Sequence, residues 1–269
     1  MKSSSQVRSQ LQRVVVTTSW DDDDRSGLRV AQLLQAHGIA GTFYVPTAKL
    51  GEGNAFSAAD LRNLVADGFE IGAHTVSHPI LPTLDAARLA FEVGHCKEQL
   101  QQMLGEEVTT FCYPRGRFNQ AVISAVRHAG YRGARGTLML STGHDFSPFA
   151  IPTTLQAYPH ARSNYLRNFI RQRAVSTLLR NIPELLRYDG WFQLARRTFD
   201  RVLENGGVWH LYGHPWEIEK LNLWPQLHEL FQYVGGHKDV AYLTNASLVG
   251  AAQRKEHSVA NKAATTLAH

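Results

Sequence analysis

Apolar positions fall into short runs that alternate with stretches of helical spacing. Val14, Val15 and Val16 run into Thr17 and Thr18 as a buried strand, and Leu28, Val30, Ala31, Leu33 and Leu34 then recur at helical spacing until Gly38. A second strand is expected over 39–45. Ser57 predicts the N-cap of a helix through Asp67 with Gly68 just past its end, before a short third strand over 69–73. Beyond it the pattern predicts a long helix over 84–104, a fourth strand over 108–113, a helix over 119–129 ended by Gly130, and a fifth strand over 131–135. The periodicity weakens over 136–159, where a loop with one short strand at 149–151 is expected. Helices over 163–180 and 183–204 follow, with Pro183 suited to the first turn of the second. A strand over 206–214, a helix over 224–234 and a strand over 239–243 that closes the sheet complete the pattern.

Strands alternating with helices at this spacing imply βαβ units and a parallel α/β sheet, in which reactive loops lie at the carboxyl ends of the strands. Four segments with chemistry fall at such ends and should meet at one mouth. They are the acidic run after Val16, residues 74–78, the turn at 113–116 and residues 210–216.

The acidic run is Trp20-Asp21-Asp22-Asp23-Asp24. Four adjacent carboxylates repel one another, and a chain that places them at the end of a buried strand needs a cation or a perturbed pKa to hold at least one of them. A solvated turn that caps the next helix accounts equally well for Asp23 and Asp24. His74 and His78 in His-x-x-x-His sit close enough to share one cation, and a carboxylate from another strand end would complete a three-ligand site with positions open for water and substrate. Either histidine alone also fits a capping or core role.

These residues resemble the polysaccharide deacetylases with the NodB homology domain (carbohydrate esterase family 4). Ser19-Trp20-Asp21-Asp22 is similar to the first motif of that family, His74-Thr75-Val76-Ser77-His78 to its histidine motif, Tyr113-Pro114-Arg115-Gly116 to its Pro-x-Gly turn, and the stretch Gly207 to His214 to its last, histidine-ending motif. The resemblance implies a distorted (β/α) barrel of about seven parallel strands; the length fits a single domain over 14–245, and composition predicts a polar arm at 1–13 and a disordered tail at 246–269. It makes Asp21 the general base and Asp22, His74 and His78 the ligands of one divalent metal ion, expected to be Zn2+. The backbone N–H of Arg115 would support the oxyanion. A histidine would protonate the leaving amine, and His214 is favoured over His210 because it lies nearer the carboxyl end of its strand.

The chain departs from the family pattern at three points. Asp23 stands where glycine is usual, Cys112 stands where many members carry an arginine that orients the catalytic aspartate, and the tryptophan-containing fourth motif is not visible. Arg135 or Arg115 are candidates to supply that arginine, and Asp145 is a candidate supporting acid. Tyr113, Trp209, Tyr212 and Trp216 offer flat faces suited to either a sugar ring or core packing.

The expected reaction is metal-dependent hydrolysis of the N-acetyl group of an amino sugar in a nucleotide- or lipid-linked glycan intermediate. Hydrolysis of another carbon–nitrogen bond such as a cyclic amide, and an inactive glycan-binding protein, are the alternatives. Residues 161–201 carry nine arginines against Glu184, Asp189 and Asp200, a surplus larger than the +5 of the whole chain. Such helices suit an anionic membrane surface, and no nucleic-acid module accompanies them. With two cysteines, no apolar leader pattern and no membrane-length apolar run, a cytoplasmic, membrane-peripheral location is the expectation.

Overall fold

The computed structural model describes residues 14–254; the polar arm at 1–13 and the tail at 255–269 lie outside the described residues. In chain order the elements are β1 (Val14–Asp21), α1 (Gly27–Ala36), β2 (Gly41–Val45), α2 (Ala58–Ala66), β3 (Glu70–Ala73), α3 (Ala86–Leu104), β4 (Thr110–Cys112), α4 (Gln120–His128), β5 (Gly133–Arg135) and β6 (Leu155–Gln156). Then come α5 (Arg162–Gln172), α6 (Val175–Leu186), α7 (Trp191–Asn205), β7 (Gly207–Gly213), α8 (Pro215–Lys220), α9 (Trp224–Val234) and β8 (Val240–Tyr242). The helix starts follow the side chains expected of them. Ser57 and Asp60 form a reciprocal capping box before α2, and Asp85 and Asn119 accept the free amide hydrogens that open α3 and α4.

All strand pairs are parallel, in the order β5-β4-β3-β2-β1-β7-β6. The sheet curls so that its two ends meet at a bridge between Arg135 and Ile151, just before β6. This is an α/β domain with an incompletely closed, distorted barrel. β8 does not close the sheet. It pairs with Val14 to Val16 on the flank of β1 that β2 joins only from Thr18 onward.

Strand parity sorts the side chains. Along β1, Val14, Val16 and Trp20 enter the core shared with the helices. Thr17, Ser19 and Asp21 face the interior, where they meet Asn245, His210 and Arg135. β7 repeats the pattern: Trp209 and Leu211 pack outward, and His210 and Tyr212 point inward. A polar column therefore runs up the barrel axis and ends at Asp21.

Three further expectations need correction. Residues 246–254, assigned to the tail, continue a helix that starts at 245, with Leu248 and Val249 buried against Val15, Ile151 and Val208 at the amino end of the barrel. Asn245 and the half-buried Glu70 carboxylate hold its first turn, Glu70 accepting from Ala246 N–H, as suits an acid at a helix N-terminus. The arginine-rich region forms three helices instead of two. Arg173 adopts a left-handed conformation (φ 52°) that ends α5, whereas Pro183 sits inside α6. The short strand near 149–151 is reduced to the bridge at Ile151, with the paired residues displaced to Leu155–Gln156.

Candidate active site

The carboxyl ends of β1, β3, β4, β5 and β7 converge on one cluster. Asp21 is 4% exposed, and its Oδ2 accepts from the guanidinium of the fully buried Arg135. Asp21 Oδ1 is buried with no hydrogen-bond partner among the described residues. Burial alone would raise the Asp21 carboxyl, but Arg135, helped by His74 and His214, holds it down at about 2. Cys112 and Arg135 are register partners on β4 and β5. The small thiol leaves a lane over which the guanidinium reaches Asp21, touching Cys112 Sγ at 2.9 Å on the way. An arginine is thus present at the aspartate, entering from the next strand.

Ligand atoms of Asp22, His74 and His78 lie within 4.8 Å of one another. His74 is buried, and its Nδ1 lies 2.8 Å from the Cys112 carbonyl oxygen. A carbonyl can only accept, so Nδ1 carries the proton and Nε2 keeps its lone pair for a cation. Burial pushes His74 down to about 4, which keeps the ring neutral as a ligand must be. The His74 and His78 rings are 4.8 Å apart, and His78 Nε2 is 3.9 Å from Asp22 Oδ1. One carboxylate and two imidazoles, with His74 offering a free Nε2, suit a divalent cation such as Zn2+, so the residues present fit the metal that the motifs imply.

Backbone strain concentrates here. Seven described non-glycine residues have positive φ, and four of them, Asp22, Thr75, His78 and Arg115, belong to the motif loops. Glu92 of α3 holds the histidine loop by accepting from the Val76 and Ser77 amides and the Ser77 hydroxyl. Arg115 occupies the turn after β4, its side chain exposed, and Gly116 follows at φ 61°, where a Cβ would come within 1.9 Å of Thr137 Oγ1. Only glycine closes that turn.

His214 and His210 sit in different environments. His210 is 1% exposed, its Nε2 is 2.9 Å from Ser19 Oγ and its Nδ1 2.9 Å from the Pro152 carbonyl, and burial with Arg135 nearby lowers it to about 3. Both ring nitrogens are engaged inside the barrel. His214 caps β7 at the mouth, with Nε2 3.9 Å from Asp21 Oδ2 and Nδ1 2.7 Å from Glu217 Oε2. Burial opposes its protonation, but the Glu217 hydrogen bond and the Asp21 and Asp22 carboxylates outweigh that and raise it above the ordinary histidine range.

Sequence reasoning missed Glu217, Gln156 and Glu92. Gln156 donates to Glu217 Oε2 at 2.8 Å and accepts from Tyr212 and His160. The one available signal for Glu217 was its position three residues after His214 and two after Pro215, in the first turn of a helix. Asp145 is not at the site. It is exposed beside Phe146, which packs at the amino end of the barrel. Asp24 makes a local turn, accepting from Ser26 and Asn54, and the Asp23 carbonyl accepts from the Phe56 N–H. Trp209, Tyr212 and Tyr113 are buried in the protein, whereas Trp216 is 39% exposed and donates to Asp22 Oδ2 at 2.8 Å. It stands beside an open groove of about 630 Å³ lined also by Asp24, Asn54 and Lys220.

Fold and site together define a parallel α/β barrel protein with a carboxylate–histidine cluster suited to a divalent cation at its carboxyl rim. The polysaccharide deacetylase family model matches residues 8–134. A chitin deacetylase of Pestalotiopsis sp is 30% identical over 99 residues, 37% of this chain and 33% of its own length. Peptidoglycan-N-acetylmuramic acid deacetylase of Bacillus subtilis (strain 168) is 26% identical over 105 residues, 39% of this chain and 38% of its own. The chain spans about a third of the length of the curated relatives it matches. Among solved structures, a putative polysaccharide deacetylase from Mycobacterium smegmatis shares the fold over 90% of this chain and 92% of its own, with a TM-score of 0.61 at 14% identity.

Proposed function

We propose that this protein is a metal-dependent deacetylase that hydrolyses the N-acetyl group of an amino sugar in a glycan or glycan precursor. The observation that carries this reading is the convergence of an ionised Asp21 with a free Oδ1, a protonatable His214 and the Asp22–His74–His78 cluster on one rim. The names of the relatives, deacetylases of chitin and of peptidoglycan, support the substrate class. A divalent cation held by Asp22, His74 and His78 would supply Lewis acidity toward the acetyl carbonyl and make water a stronger acid.

Each residue of the chain then has one task. Asp21 Oδ1 takes the proton of the attacking water, since Oδ2 is committed to Arg135. With its carboxyl near 2, Asp21 is a weak base held in one orientation, which suffices for water already acidified. The Arg115 N–H supports the negative charge that develops on the carbonyl oxygen. As the carbon–nitrogen bond breaks, His214 Nε2 gives its proton to the leaving amine, and acetate and a free amino sugar depart. Trp216 offers its exposed face to the sugar ring at the groove. A nucleotide- or lipid-linked precursor in a reducing, cytoplasmic setting belongs to the same reading, supported by two cysteines that are both free and buried.

The test is acetate release by the zinc-loaded protein from N-acetylated chitooligosaccharides and peptidoglycan fragments, followed by proton NMR. Stoichiometric acetate and free amine are expected. Ring opening of a cyclic amide without acetate would move the reaction to another carbon–nitrogen bond, and saccharide binding without turnover would make the protein a glycan binder.

Glu217 sets the pH range over which His214 acts. Because the Glu217 carboxylate stabilises the imidazolium, Glu217→Gln lowers the His214 pKa, and activity that needs the protonated ring is lost at lower pH. The alkaline limb of the rate profile should move toward acid pH, with a drop of about 10- to 100-fold in kcat near pH 8. A profile whose alkaline limb stays in place would remove His214 as the acid.

A further inference from the structure

The three arginine-rich helices divide their charges unequally. Arg197 pairs with Glu184 and Asp189, Arg201 with Glu184, and Arg196 lies over Tyr233 near Glu229. Arg171 donates to Thr137. These four serve packing within the fold. Arg162, Arg167, Arg173, Arg180 and Arg187 are exposed, and their side chains have no hydrogen bond or ion pair among the described residues.

The same surface is apolar. On α6, Val175, Leu179, Ile182 and Leu186 follow one another at spacings of four, three and four residues, which places them on one stripe of the helix. Val175, Leu179 and Leu186 are 65%, 61% and 70% exposed, while Asn181 and Leu185 on the other face are buried. On α5, Leu166 and Ile170 are exposed in the same way, and Ile170 and Val175 flank the left-handed turn at Arg173. Aliphatic side chains this open along a whole helix face mark an interaction surface.

We propose that the α5–α6 face docks this protein on an anionic lipid surface. The helices would lie in the plane of the interface, with Ile170, Leu179 and Leu186 reaching the acyl boundary and the five free arginines meeting lipid phosphates. Charge complementarity selects this occupant. α5 contains no acidic residue, and the only one on α6, Glu184, is turned to Arg197 and Arg201. A second copy of the chain would bring its own unpaired arginines against these, because a two-fold interface presents the same patch twice. No helix among the described residues is long and apolar enough to cross a membrane, in keeping with an in-plane contact. α5 begins two residues after His160, whose Nε2 lies 2.8 Å from Gln156 beside Glu217, so a docked face would hold the mouth near the lipid. The surface does not depend on the reaction assigned above.

The test is co-sedimentation of the full chain with phosphatidylcholine vesicles, with and without phosphatidylglycerol. The wild type should partition to the anionic vesicles about ten-fold more strongly than to the neutral ones, and Leu179→Ser/Leu186→Ser and Arg180→Gln/Arg187→Gln should each lose about ten-fold of that. Both pairs are exposed, so far-UV circular dichroism and Tm should match the wild type. Wild-type protein left in the supernatant, equal binding to both vesicle types, or variants that pellet like the wild type would each overturn the proposal. So would a dimer in lipid-free sedimentation velocity that Leu179→Ser/Leu186→Ser dissolves, since a second copy would then cover the face.

Discussion

Replacing Arg135 by methionine should destabilise the fold by about 3–5 kcal/mol at neutral pH, because it strands a buried carboxylate whose only strong partner is gone. Arg135 is fully buried and meets Asp21, Cys112 Sγ and the Gly136 carbonyl. Without the guanidinium, burial becomes the dominant influence on Asp21 and raises its pKa. The sign of the pH dependence follows. In the wild type, Asp21 has a depressed pKa, so its contribution is present above the ordinary value of 3.8 and lost as pH falls toward about 2. In the variant the stranded carboxylate takes up a proton at a higher pH, so the stability gap between the two proteins should narrow as pH falls toward about 4. Urea unfolding of both proteins in chelator at several pH values measures this gap. A second test is Asp21→Asn/Arg135→Met, which removes the charge as well and should recover most of the loss. A gap that does not change with pH, or a double variant no more stable than Arg135→Met, would show that the ion pair does not hold this barrel mouth.

His78→Ala should reduce bound divalent cation from about one per chain to a trace, and acetate release by about 10³-fold or more, equivalent to roughly 4 kcal/mol of lost transition-state stabilisation. His78 is the informative ligand because its side chain is 31% exposed and its ring makes no hydrogen bond among the described residues. Its loss should cost less than about 1 kcal/mol of stability. His74→Ala would be harder to read, since it also frees the buried Cys112 carbonyl. Metal content by plasma emission spectrometry, measured beside Tm on the same samples, separates loss of ligation from loss of fold. Full metal occupancy in His78→Ala would mean that the cation sits elsewhere, with the Asp21, His74 and Cys112 atoms as the next set to examine.

Much of this architecture was legible in the chain, for reasons visible in single elements. α9 (Trp224–Val234) runs over the expected residues, and Ser57, Asp85 and Asn119 cap helices within a residue or two of the expected starts. Apolar periodicity and capping are local properties, so local order reveals them. The arginine-rich region was harder to read. Arg173 carries no mark of the left-handed turn it makes, and Pro183 offered a helix start that packing of α6 through Asn181 and Leu185 overrode. The helix begun at 245 was missed because its anchor is Glu70, 176 residues away along the chain.

The site divides along the same line. Amino-acid order alone places Asp21, Asp22, His74, His78 and His214 at strand ends, because a parallel α/β chain carries each strand's carboxyl end to one rim and parity points alternate residues inward. Tertiary packing decides which neighbours tune them. Arg135 reaches Asp21 across the small Cys112 because β4 and β5 pair in that register. His210 is closed off by Ser19 and Pro152, while His214 remains at the mouth with Glu217. Local patterns hold no record of cross-strand register, and a buried charge takes the partner that register brings within reach.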